Sequence, residues 1–232
     1  MKQTLCIGVT LLVSAAVVSA KVTKTELNRI REAAIVLDEI RGAADKDIPE
    51  DLWEKASCVM VIPSVKKAAF IVGGEYGKGV MSCRNGKDWS APSFVMLGKG
   101  SVGFQLGGET VDLVLLIMNE HGVHRLIEDK VALGGEASVA GGPVGRDVRA
   151  MTDAQLKAEI LSYSRSQGLF AGVDLTGGVL KPDGDDNRDL YGRHVTAHDI
   201  LVAKTVATPR AAALFMAALK RTIPPAQSSA LQ

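Results

Sequence analysis

The sequence predicts an α+β fold: a strongly bent, mostly antiparallel, glycine-rich sheet, barrel-like in curvature, with N-terminal and C-terminal helices packed on it. Three observations predict it. Short segments rich in Val and Ile follow one another through residues 59–140, too closely for helical crossovers, so their pairing is antiparallel. Of 24 glycines, 22 lie between Gly73 and Gly192, many as pairs beside apolar segments, which marks bends and bulges in strands. Helical periods flank this region on both sides.

The elements follow in order. Residues 1–20 read as a secretory signal peptide: Lys2, an apolar run over 5–18, and a small-residue cleavage site at Val18-Ser19-Ala20. The run is shorter than the roughly 20 residues a membrane span needs. The mature chain then begins at Lys21 and is 212 residues long, one domain over 21–222 followed by a disordered tail over 223–232. Residues 23–41 form an amphipathic helix with Leu27, Ile30, Ala34 and Leu37 on one stripe, widened by Ala33, Val36 and Ile40. Thr23 with Glu26 is a capping box, and Gly42 ends the helix. A short helix follows Pro49.

Strands are predicted over 59–62, 68–74, 79–83, 93–97, 102–106, 111–118, 123–127 and 137–140. Asn85-Gly86 is the strongest hairpin signal, and residues 119–122 read as a second turn. Thr152-Asp153 caps a predicted helix to about residue 167, with Leu156, Ile160, Leu161 and Tyr163 inward. After Gly168 a period-two pattern returns, around Leu169, Phe170, Val173, Leu175, Val179 and Leu180. Helices over 197–204 and 209–220 close the domain.

Composition narrows the function. Basic and acidic residues number 27 and 26, and loss of Lys2 leaves a mature net charge of zero, so no bulk nucleic-acid affinity is expected. Gly98, Gly100 and Gly103 match the dinucleotide spacing, but strand-like residues follow where a helix must open. Asp183, Asp185, Asn187 and Asp189 resemble the start of a calcium loop, but Arg188 and His194 occupy the positions of its Gly and Glu; an acidic turn is expected instead. His121 with His124, and His194 with His198, lack a third ligand, so no metal or cofactor is expected. No nucleophile elbow or catalytic cysteine context occurs, which argues against an enzyme.

Export permits a disulfide between Cys58 and Cys83, and the spacing leaves it open against two buried free thiols. Lys21, Lys24, Arg29 and Arg31 cluster at the start of the first helix. Such a helix suits an anionic membrane interface as well as packing on a sheet.

The chain resembles the SYLF family over about residues 27–219. The resemblance is carried by Tyr163-Ser164-Arg165-Ser166-Gln167-Gly168-Leu169-Phe170-Ala171-Gly172-Val173-Asp174-Leu175, by Asn187 and by Tyr191-Gly192. Trp89-Ser90-Ala91-Pro92, the segment 100–108 with Asp112, and Gly142-Pro143-Val144-Gly145-Arg146 support it. The resemblance implies a non-enzymatic lipid-binding module, with phosphoinositide binding and actin regulation in eukaryotic relatives. It makes Lys21, Lys24, Arg29 and Arg31 lipid-headgroup candidates. With the signal peptide, the expected setting is the periplasm or cell envelope, or secretion. The expected partner is an anionic phospholipid surface; a structural or protein-interaction module of the envelope, or actin binding after delivery to a host, is the alternative.

Overall fold

In the computed structural model, Cys58–Asn85 (β1) and Ser93–Ile117 (β3) form one antiparallel ribbon, paired from Cys58 opposite Ile117 to Met81 opposite Ser93. Asp88–Trp89 (β2) pairs with β1 at the turn. The structure describes residues 22–42, 48–86, 88–128, 130–145, 151–166 and 169–222; residues 41–42, 68–73, 85 and 101–108 are described as backbone only. Residues 1–20, expected to be a signal peptide, Lys21, and residues 223–232, expected to be a tail, lie outside the described residues. The expected Asn85-Gly86 hairpin is present, with Asn85 opposite Asp88 and Gly86 at φ 60°, a conformation that suits glycine.

The ribbon doubles back on itself. Cys58 and Cys83 are 25 residues apart, yet their Cα atoms are 3.9 Å apart and their sulfurs are bonded at 2.02 Å. Stretched straight, that separation would span about 80 Å. The Arg84 N–H donates to the Ser57 carbonyl at 2.8 Å across the same seam. Glycine permits the approach: a Cβ on Gly79 would lie 2.3 Å from the Val61 carbonyl oxygen. Register shifts between Ile62 and Val65 and between Ala69 and Ile71 supply the bend. Ser64, within the first, holds φ 53° while its N–H donates to Asp112 Oδ1 at 2.9 Å.

Other strands widen the two halves separately. Gly178–Pro182 (β8) pairs with residues 95–99 of β3, and Val131–Ala132 (β4) pairs with β8. Ile160–Ser166 (β6) pairs with residues 112–117 of β3 and takes Leu169–Gly172 (β7) antiparallel and Val139–Gly141 (β5) parallel. The sheet is eight-stranded and strongly curled; among the described strand pairs β5–β6 alone is parallel, with one isolated parallel bridge between Leu133 and Ala137.

Residues 58–62 and 113–117 are buried without interruption because both faces of the curl are covered. Val59, Val61, Val114, Leu116 and Tyr163 face one core with Lys24–Gly42 (α1), Glu50–Lys55 (α2) and Ala213–Thr222 (α7). Met60, Ile62, Leu113, Leu115 and Ile117 face the other with Glu120–Leu126 (α3) and Ala197–Leu201 (α6). Ile30, Ala33, Ala34, Val36, Leu37 and Ile40 of α1 are buried as the period predicts, each large side chain contributing about 1.5–3 kcal/mol. Leu27, on the same predicted stripe, remains 37% exposed.

Three segments differ in type from expectation. The strand predicted over 123–127 is α3. Asn119 caps it by accepting from the Gly122 N–H at 2.8 Å, and Gly122, Val123 and Leu126 form its buried face. Thr152 does cap a helix, but that helix is Asp153–Lys157 (α4) alone, and the remainder of the expected helix is β6. The free edge of β3 captures it: Ile160 sits opposite Ile117 and Tyr163 opposite Val114, so tertiary pairing overrides the local period. The acidic turn expected over 183–189 is the cap and body of a helix, Gly184–Tyr191 (α5). Gly98, Gly100 and Gly103 lie within β3, paired with Tyr76, Gly74 and Ile71.

Gly141-Gly142 crosses Gly172 closely, and a Cβ on Gly142 would lie 2.0 Å from the Tyr163 ring. Gly142→Ala is expected to lower stability by about 1–3 kcal/mol, read from a urea midpoint. Gly184→Ala, with nothing within 4 Å of its added Cβ, is the control that should move little.

Candidate functional site

The start of α1 is built locally. The Thr23 N–H donates to Glu26 Oε2 at 2.8 Å and the Glu26 N–H donates to Thr23 Oγ1 at 3.3 Å, which closes the expected capping box. One turn on, Arg29 turns inward, 9% exposed. Its guanidinium donates to Asp186 on α5 and lies 5.0 Å over the Phe94 ring. Lys78, from the returning half of β1, reaches Asp186 at 3.2 Å and Asp183 at 2.6 Å. Burial opposes the Lys78 ammonium, but the hydrogen bonds and charges of Asp183 and Asp186 outweigh it and raise its pKa. Burial likewise opposes the Asp186 carboxylate, and Arg29 and Lys78 hold it below its ordinary value. Beside this cluster a cleft of about 540 Å³ opens between α1 and the ribbon, with Thr25, Asn28, Ser64, Lys66, Tyr76 and Lys78 in its walls.

A second arginine fastens the C-terminal end of α1. Arg165 on β6 donates to Asp112 Oδ2 at 2.9 and 2.6 Å and pairs with Glu39. Asp38 pairs with Arg221 of α7 at 2.9 Å. Glu26, Asp38 and Glu39 of α1 are therefore spent on internal contacts. Glu32, Asp38 and Glu39 remain exposed, and beside them runs a narrow stripe of mixed character. Lys24, Leu27, Arg31 and Ile35 follow at helical spacing; both cations are exposed, and Leu27 and Ile35 are 37% and 47% exposed.

The headgroup candidates separate accordingly. Lys24 and Arg31 share the exposed stripe, Arg29 is committed to the interior pair with Asp186, and Lys21 lies outside the described residues. Cys58 and Cys83 are joined, and they border a different cleft of about 530 Å³ together with Arg84, His124 and Lys204. His121 lies on α3, with its ring against Glu159, and His198 lies on α6. No group of three or more His, Cys, Asp or Glu suited to a metal occurs among the described residues. Sequence reasoning missed Lys78 and Asp186 as partners. The available signal was a lone lysine among glycines, Gly77-Lys78-Gly79, beside an acidic segment that needed a counter-charge.

The residues that carry the family resemblance are scaffold. Tyr163 is fully buried, and the Val173 carbonyl accepts from the neighbouring Ser162 Oγ at 2.6 Å. Asn187 Oδ1 accepts from the Phe94 N–H at 2.7 Å, and its Nδ2 donates to Ser93 Oγ at 3.1 Å. Tyr191 donates to the Pro92 carbonyl at 2.6 Å, and burial raises its pKa. Along one face of α5 these side chains clip the helix to the start of β3.

A curled sheet held by such clips, with a charged cluster under its first helix, defines a mixed α/β module. The family model named Ysc84, described as "Las17-binding protein actin regulator", matches residues 98–222. The chain is 35% identical over 183 residues to SH3 domain-containing YSC84-like protein 1 of Homo sapiens, covering 75% of this chain and 53% of that protein. It is 41% identical over 157 residues to an SH3 domain-containing protein of Schizosaccharomyces pombe, covering 66% and 36%. LAS seventeen-binding protein 3 of Saccharomyces cerevisiae is 35% identical over 177 residues, covering 74% and 38%. The chain belongs to the Ysc84 (SYLF) family, and it spans between about a third and about half the length of these relatives.

Proposed function

We propose that this protein is a non-enzymatic, exported module of the periplasm or cell envelope that associates peripherally with anionic phospholipid membranes. The exposed stripe of α1 supports the reading: two cations alternate with two apolar side chains, and Glu26, Asp38 and Glu39 are each held by a partner within the chain, with Glu32 exposed beside them. Lys24 and Arg31 attract headgroups, and Leu27 and Ile35 enter shallowly. The buried stripe of α1 stays in the core, so binding needs no unfolding. A local charge on a nearly neutral protein makes the attraction salt-sensitive.

Flotation with phosphatidylglycerol-containing vesicles at low salt tests the reading. The protein is expected to float with anionic vesicles and not with phosphatidylcholine alone. Lys24→Glu with Arg31→Glu is expected to weaken binding by about tenfold or more, since each basic residue near an anionic surface contributes about 1 kcal/mol. Absence of the parent protein from the anionic vesicle fraction would sink it.

A second reading has its own support. The yeast relative is named LAS seventeen-binding protein 3, and the family description names Las17 binding and actin regulation. A protein partner of the envelope, or actin if the protein reaches a host, would use another surface. Its mark is a pull-down unchanged by the Lys24→Glu, Arg31→Glu pair.

A further inference from the structure

We propose that the outer face of α7 is a second membrane-contact element, continuous with the exposed stripe of α1, so that the two helices lie together on an anionic phospholipid surface. The inference rests on the lipid-surface reading above. Residues 209–222 hold Arg210, Lys220 and Arg221 and no Asp or Glu. The helical period divides them. Ala212, Phe215, Met216, Ala218, Leu219 and Thr222 are buried. Arg210, Ala213, Leu214, Lys220 and Arg221 are exposed, Leu214 at 59%. The outer face of α7 is thus cationic with a leucine set among the charges, where a solvated face carries polar residues of both signs.

The two exposed faces adjoin. Arg221 donates to both carboxylate oxygens of Asp38 at 2.9 Å, and Thr222 Oγ1 donates to the Leu37 carbonyl at 3.3 Å. The turn Arg210–Ala212, at the other end of α7, also touches α1. Ten residues separate Ala211 from Arg221, about 15 Å of helix, whereas α1 continues only four residues, about 6 Å, past Asp38. To reach α1 at both ends, α7 must run beside it in the same direction. Asp38 continues the stripe of Lys24, Leu27, Arg31 and Ile35 at helical spacing, and Leu214 shares a flank of α7 with Arg221, seven residues on. Two turns back from the Asp38–Arg221 pair stand Arg31 on one helix and Leu214 on the other.

The charge of this joint face has a sign. Lys24, Arg31, Arg210, Lys220 and Arg221 stand against Glu32, Asp38 and Asp88, five cations to three carboxylates, and Glu39 is balanced by Arg165. Asp38 and Asp88 pin Arg221 and Lys220 along the two flanks of α7, at 2.9 and 2.7 Å. Leu27, Ile35 and Leu214 lie among these cations, the mixture that seats a helix pair at a headgroup layer, with basic stems laid along apolar side chains. The surplus of positive charge fits an anionic lipid surface better than another copy of the same cationic face.

The test uses the full chain with Leu214→Trp, mixed with vesicles of phosphatidylglycerol and phosphatidylcholine. Trp53 and Trp89 are 0% and 6% exposed and supply a constant background. Binding is expected to shift the emission of Trp at position 214 to the blue, and lipids brominated high on the acyl chain are expected to quench it. Arg210→Glu with Leu214→Gln, checked for an unchanged thermal midpoint, is expected to weaken vesicle binding about tenfold with Lys24 and Arg31 intact. Vesicle binding with neither the emission shift nor the loss in the double variant overturns the inference and leaves the α1 reading standing. A parent protein that binds no vesicle overturns both. A lipid-free dimer in sedimentation that Arg210→Glu with Leu214→Gln dissolves assigns the face to a second copy, and also overturns the inference.

Discussion

Reduction of the Cys58–Cys83 bond, or its replacement by alanine at both positions, is expected to lower the unfolding free energy by about 3 kcal/mol. The bond closes a 25-residue stretch, and a loop of that length is worth about that much in chain entropy. For a domain of this size the melting temperature should fall by roughly 6–12 °C. The effect is large because of what the bond joins. It ties the first residues of β1 to its last, so the unfolded chain loses the freedom of the whole first strand of the ribbon. In the folded state the Arg84-to-Ser57 hydrogen bond and the close approach of Gly79 to Val61 hold the same seam. Both sulfurs are buried, so alanine also removes packed volume, and parent protein in reductant isolates the cross-link itself. An unchanged melting temperature in reductant, with free thiols confirmed by mass, would show that backbone and packing close the ribbon unaided.

Asp186→Ala is expected to cost a similar amount, about 3 kcal/mol at neutral pH. Arg29 and Asp186 side chains are 10% and 14% exposed, and removing one partner leaves the other charge buried. Lys78 retains Asp183 at 2.6 Å, so the orphan is Arg29. Arg29→Met with Asp186→Leu should recover part of the loss, because no charge is then stranded. The pH dependence has a definite sign. Asp186 titrates below its ordinary value in the folded state, so its contribution is full above the unfolded carboxylate pKa of about 3.9. It is lost as pH falls through the lower folded value. Urea unfolding between pH 5 and pH 3 should therefore show a steeper acid loss in the parent than in Asp186→Asn. Equal acid slopes would overturn this account of the cluster.

The local chemistry of α1 was legible because it depends on neighbours in sequence. The capping box of Thr23 and Glu26, the buried stripe from Ile30 to Ile40, and the Asn85-Gly86 turn all needed only spacing and residue type. The 160–166 segment was misread for the same reason. Its spacing allows a helix, and only the exposed edge of β3 makes it a strand. Residues 123–127 failed in the opposite direction: Val and Ile suggested a strand, while the cap at Asn119 and the covered face against Ile117 and Glu159 favoured a helix. Within the candidate site, Lys24 and Arg31 could be chosen from sequence, but Arg29 could not be told from them. Its partner Asp186 is 157 residues away.

By itself, then, the sequence determined the α+β class, the glycine-driven bending of the sheet, the helices at both ends and the family. These follow from periodicity and residue type, which act over a few positions. The tertiary structure alone decided that the ribbon returns to its own start, that Cys58 meets Cys83, and that Arg29 turns inward to Asp186 while Lys24 and Arg31 stay outside. Those outcomes depend on which distant charges and strand edges meet when the ribbon folds back, and no local pattern encodes that meeting.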